Sequence, residues 1–213
     1  MKPVAESFST VIIGQWNPNI FKPDWVQKHL ANNENDSVEI AFPIGDPSLP
    51  PRIHLGDVLI FPSQGKLDIK AQNPTKENLT STTTVAKKCL ELLAHTPISA
   101  LGINVGFTGS SDDAESIIKL FSFDDAALID SNTFKFQGAE VKRAFKLDDC
   151  ILNLRITYNI TDIKVDFNFH FDSKDTADAI HKIVNPSAEA LYNMASDFLK
   201  NTYDLDIEGT EDE

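Results

Sequence analysis

Cys150–Phe171, CILNLRITYNITDIKVDFNFHF, decides the fold. Apolar residues recur at every second position on both sides of a short polar break. Cys150, Leu152, Leu154, Ile156, Tyr158 and Ile160 form one row, and Ile163, Val165, Phe167, Phe169 and Phe171 form the other. Period two is the signature of a strand with one buried face. Thr161-Asp162 between the rows predicts a hairpin turn. The complementary positions are polar, with Asn153, Arg155, Thr157 and Asn159 on one strand and Lys164, Asp166, Asn168 and His170 on the next.

Working outward, AEVKRAFKL (139–147) and TFKFQG (133–138) extend the antiparallel series upstream. Asp112 reads as the N-cap of a helix with Ala114, Ile117, Ile118 and Phe121 on its apolar face. SALGINVGF (99–107) reads as a strand. Downstream come a helical turn near 175–184 and a helix over 186–202, with Leu191, Met194, Ala195, Phe198 and Leu199 turned inward. The first half of the chain repeats the order. It has a strand at 10–16, a helix near 23–33 and a strand at 37–42 (Val38, Ile40, Phe42 inward). Single strands at 52–61 and 66–72 follow, then a helix over 83–95 with Val85, Ala86, Cys89, Leu90, Leu92 and Leu93 as its stripe. Runs of strands with few helices predict an α+β fold with antiparallel sheet covered on one face by helices. The expected organisation is two pseudo-repeated strand–helix–antiparallel-strands–helix units, 1–98 and 99–203, packed as one body, with 204–213 a flexible acidic tail. Each unit resembles those of the TATA-binding protein and of helix-grip folds, a likeness of fold that carries no function with it.

The chain has 213 residues, 19 Lys+Arg against 32 Asp+Glu, and a net charge of -13. Residues 1–98 hold 10 acids and 9 bases, the remainder 22 acids and 10 bases, and the last ten residues alone hold six acids. Such a balance argues against nucleic-acid binding, which needs a Lys/Arg surface to release counterions. No apolar run is long enough for a membrane span and no signal peptide is legible, so a cytoplasmic protein is expected. Cys89 and Cys150 read as small buried hydrophobes. The five histidines fall at no metal-ligand spacing, and no nucleotide, zinc-hydrolase or nucleophile-elbow motif occurs. Asp112-Asp113, Asp124-Asp125 and Asp148-Asp149 read as caps and turns. The two glycines of GINVGF lie inside a strand and do not form a phosphate cradle. The sequence therefore predicts no catalytic residue, no metal and no cofactor.

The one constellation worth carrying forward is the polar side of the central hairpin: Asn153, Arg155, Asp166, Asn168 and His170. Antiparallel pairing brings Arg155 within reach of Asp166 or His170. That is either a polar binding surface or an acid–base pair beside an anion-holding arginine. Lys66, Asp68 and Lys70 hold the equivalent place in the first half. The expected function is a non-enzymatic interaction protein, an acidic adaptor, immunity-like or chaperone-like binder. Its outer sheet face and acidic second half would contact a protein partner with a basic surface. A small-molecule-binding protein or enzyme with an apolar pocket between curved sheet and long helix, and a structural or homodimeric role, are the alternatives.

Overall fold

A computed structural model of the chain describes residues 1–31, 37–41, 51–122 and 135–208. Along the chain these form β1 (Lys2–Pro3), β2 (Ser9–Gly14), α1 (Pro23–His29), β3 (Val38–Ala41), β4 (Arg52–Leu55), β5 (Val58–Pro62) and β6 (Lys66–Ala71). There follow α2 (Lys76–Leu92), β7 (Ile98–Ser110), α3 (Glu115–Ile118), β8 (Ala139–Lys146), β9 (Ile151–Asn159), β10 (Asp162–Asp172), α4 (Thr176–Val184) and α5 (Ala188–Tyr203). The fold is α+β, as the sequence predicts. None of the described helices is long and apolar enough to cross a membrane.

All ten strands belong to one antiparallel sheet, in the order β3-β4-β5-β6-β2-β7-β10-β9-β8, with β1 also on β7. Apart from the two-residue β1, the first strand of each half lies beside the last, β2 against β6 and β7 against β10. The two first strands then pair with each other, β2 against β7. A single sheet thus runs through both halves, and β7 is its longest strand at 13 residues.

Strand alternation sends Ile12, Leu67, Ile69, Leu101, Ile103, Val105, Phe107, Ile163, Val165, Phe167, Phe169 and Phe171 to one face, where all are buried. Helices α2, α4 and α5 cover that face. Aromatic rings fill the space beneath them, with Phe107 6.1 Å from Phe167 and 5.8 Å from Tyr192, and Phe198 5.7 Å from Phe167. Such edge-on and tilted ring pairs add to the area they bury.

Several boundaries differ from the sequence expectation, each for a local reason. Helix α1 stops at His29. The 52–61 segment is two strands, because Gly56 adopts φ +53° and turns the chain between Leu55 and Val58. Helix α2 begins at Lys76, seven residues before the expected start at 83. Thr75 Oγ1 accepts from Asn78 N, and Thr80, Thr82, Thr83 and Thr84 donate back to carbonyls three or four residues earlier. These bonds satisfy the hydroxyls within the helix, and the Thr10 and Thr82 hydroxyls meet at 2.8 Å in the core. Leu92 is exposed at its end.

In the central hairpin the turn is Ile160-Thr161, one residue earlier than expected, since Asn159 pairs with Asp162. Ile160 takes φ +51° and leaves the buried row. The 111–121 helix is broken into a 3-10 turn, α3 and a second 3-10 turn, and Ser110 Oγ rather than Asp112 accepts the capping amide. Residues 135–138 join no strand; 133–134, Phe42 and Asp124-Asp125 lie outside the described residues. Ser187 caps α5, and Met194 on that helix faces outward.

The expectation of a free tail from 204 does not hold for 204–208. Leu205 and Ile207 are buried. Lys200 Nζ bonds Asp206 at 2.6 Å, Glu208 N bonds Met1 O, and the Met1 ammonium donates to Asp206 O.

Phe169→Ala should destabilise the protein by about 3–5 kcal/mol, as removal of a fully buried ring does. Met194→Ala, at a side chain on a residue 41% exposed, should change stability by less than about 1 kcal/mol. Urea unfolding of both variants measures the contrast.

Candidate binding surface on the open sheet face

The sheet face opposite the helices is built from the other half of each alternation. One register line crosses it from β9 to β6: Asn153 opposite Asn168, Asn168 opposite Asn104, Asn104 opposite Ser9, and Ser9 opposite Lys70. Four of these five side chains are tied into one relay. Asn153 Nδ2 donates to Asn168 Oδ1 (3.0 Å), Asn168 Nδ2 to Asn104 Oδ1 (2.7 Å), and Asn104 Nδ2 to Ser9 Oγ (3.0 Å). Reversing the Asn168 amide alone would set like groups against each other at both ends, so the amides of the relay are oriented together.

Beside the relay lies a second cluster. Asp166 accepts from Ser7 Oγ at 2.7 Å and from Arg155 Nη2 at 2.9 Å and Nε at 3.3 Å; Lys164 Nζ lies 3.3 Å away. Relay and cluster depend on β7 carrying glycine at Gly106, opposite Asp166, and at Gly102, one step diagonal to Asn168. A Cβ on Gly106 would come within 2.6 Å of Ser7 Oγ and 2.8 Å of Asp166 Oδ1, and one on Gly102 within 2.8 Å of Asn168 Nδ2. Asp166 and Asn168 lean from β10 across β7 only because those two positions lack side chains. GINVG is therefore a platform for neighbouring side chains.

Of the five residues singled out in the sequence, Asn153, Arg155, Asp166 and Asn168 come together. His170 does not. It pairs with Asp172 at 3.3 Å, lies opposite Ile151, and stands four residues from Asp166, about 13 Å along the strand. Arg155 is spent on Asp166, so no acid–base pair with a spare arginine forms. Sequence reasoning missed Ser7, Ser9 and Asn104, which reach the site from the first half or from the seam. The available signal was the spacing Gly102-x-Asn104-x-Gly106, which puts a polar residue between two notches on one strand face.

The relay and cluster floor a depression of about 640 Å³ that reaches from Asp68 and Lys70 on β6 to Lys142 on β8. These lie on the first and last of six consecutive strands, so the depression crosses the open face from β6 to β8. Four cationic side chains of the open face line it (Lys70, Lys142, Arg155, Lys164) against three carboxylates (Glu6, Asp68, Asp166), while Arg143, opposite Leu154, points to the helix side. The lining thus carries one more cation than carboxylates in a chain of net charge -13, with Lys142 also paired to Glu140 at 2.6 Å. Asp68 is unusual among them. Its side chain is 13% exposed, and its Oδ1 is closed off from solvent with no hydrogen-bond donor among the described residues. Burial raises its pKa above the usual carboxylate value, against the opposing pull of Lys70 and Lys66. Neither cysteine offers a nucleophile, since both are free and buried, and burial pushes the Cys89 thiol up to about 12.

Comparison with protein-family models finds no match to this chain, and comparison with curated proteins finds none either.

Two outcomes follow from this geometry. Alanine normally suits a strand better than glycine by about 0.5–1 kcal/mol, yet Gly106→Ala should cost about 1–3 kcal/mol through overpacking, read by urea unfolding. Asp68 has a folded pKa above its unfolded one, so the native state binds its proton more tightly. Its desolvation cost is fully felt above the folded pKa and vanishes as pH falls through the usual 3.8. The stability of Asp68→Asn relative to the parent should therefore be greater at pH 7 than at pH 3.5; an unchanged difference would exclude a raised pKa.

Proposed function

We propose that this chain is a non-catalytic binding protein that receives a protein partner on the open face of its sheet. The observation that carries the reading is the ordered relay Asn153–Asn168–Asn104–Ser9. A merely solvated sheet face has no need of it. Water satisfies exposed amides at almost no cost, whereas fixing a rotamer-rich side chain forfeits conformational entropy. Such ordering is useful where a partner must bind, because it lowers the entropy lost on association. The polar groups of the site are also spent on one another, Asp166 on Ser7 and Arg155, which suits recognition better than proton transfer.

The charge of the partner follows from the local surface. The acid surplus predicted a basic partner, but the open-face depression carries more cations than carboxylates. A partner seated there would present carboxylates, and long-range steering would be weaker than the net charge suggests. The proposed setting is the cytoplasm, in keeping with two free buried cysteines.

A photo-crosslinking residue introduced at Asn153, on the open face, and separately at Glu91, on exposed α2, tests the reading in the source cells. A protein adduct that forms at position 153 and not at 91 is expected. Equal adducts at both positions, or none at 153, would sink it.

A further inference from the structure

Resting on the open-face reading, we propose that the partner is read through an extended acidic peptide segment lying across the strands along the asparagine row. Adjacent strands are about 4.8 Å apart. Asn153 on β9 and Asn104 on β7 have β10 between them, so their backbones stand about 9.6 Å apart. Lys70 on β6 lies on the same register line, two strands beyond Asn104 with β2 between. It repeats the interval. Three residues of polyproline II span about 9.3 Å. A peptide in that conformation therefore returns the same backbone face to Asn153, Asn104 and Lys70 at positions i, i+3 and i+6.

The chemistry at each station matches. In the relay Asn104 has used its carbonyl on Asn168 and one amide hydrogen on Ser9, which leaves one N–H and one lone pair. Asn153 has used only one amide hydrogen among its side-chain bonds here, which leaves an N–H and its carbonyl oxygen. Each can pair with the N–H and C=O of one residue of an extended peptide. Asn168, engaged at both ends, holds its neighbours in place. Lys70 Nζ lies over the Phe61 ring at 5.6 Å and forms no ion pair within 4 Å among the described residues. It supplies the station for a carboxylate. An α-helix does not fit the same row. Its backbone groups are satisfied internally, and its pitch of about 5.4 Å falls out of step with a 9.6 Å interval.

The probe is a capped peptide of three Glu-Pro-Pro repeats, in which each glutamate keeps its N–H at the required interval. The controls are the same peptide with Gln for Glu, and an oligogalacturonate, an acidic chain without amide groups. Nitrogen-15 NMR titration of the full chain should move the side-chain amide signals of Asn153 and Asn104. Asn153→Ala, at an exposed position, should keep its dispersed spectrum and weaken the Glu peptide by about fivefold or more, the loss of one to two hydrogen bonds. Lys70→Met should erase the preference for Glu over Gln. Tighter binding of the oligogalacturonate, an Asn153→Ala affinity within twofold of the parent, or no shifts at millimolar peptide would overturn the peptide assignment. Crosslinks at position 153 alongside any of these would leave the open-face reading intact and remove only this inference. Shifts confined to the helix layer, with no crosslink at 153, would remove both.

Discussion

Strand β7 pairs with β10 over eleven residue pairs on one side and with β2 on the other. The rest of the molecule depends on that double pairing. It joins the halves into one sheet, because β2 belongs to the first and β10 to the second. It sets Leu101, Ile103, Val105 and Phe107 under the helices. By the same alternation it turns Gly102, Asn104 and Gly106 to the open side. One strand therefore specifies both the core and the floor of the candidate site. A one-residue slip would expose four large apolar side chains and bury the asparagine.

Much of this was legible in the sequence. The strict alternation of 150–171 identified the hairpin, and the antiparallel reading put Arg155 within reach of Asp166 or His170, of which it meets Asp166. The long apolar strand at 99–107 and the capped helix near the C-terminus were equally plain. What escaped has physical causes. KENLTSTTT reads as a loop because threonine is a poor helix former, yet its hydroxyls return to the helix's own carbonyls and to Thr10. Gly56 looked like part of a strand because only its backbone angle marks the turn. Asn104 and Ser9 were invisible as site residues because they meet only through the β2–β7 seam, a pairing 95 residues apart in sequence. His170 was over-read: sharing a face with Asp166 places it on the same side of the sheet, not within reach.

Charge illustrates the difference between total and local quantities. The chain is acidic, and most of the surplus belongs to residues 99–213. The depression on the open face nevertheless gathers lysines and an arginine from β6, β8, β9 and β10. Net charge governs solubility and distant steering, whereas recognition is decided by groups within a few ångströms. Asp68, half-hidden on the rim with one unpartnered oxygen, is the carboxylate whose state would tune that local field.

The central claim is that β2, β7 and β10 form the cooperative heart of one sheet spanning both halves. Native-state hydrogen exchange tests it most directly. The amides of Leu101–Phe107 and their partners on β2 and β10 should exchange only through global unfolding, with one free energy shared by both halves. Edge strands β3 and β8 should open more easily. If the seam amides exchange faster than those of β5 and β9, and the two halves show separate free energies, the account is wrong.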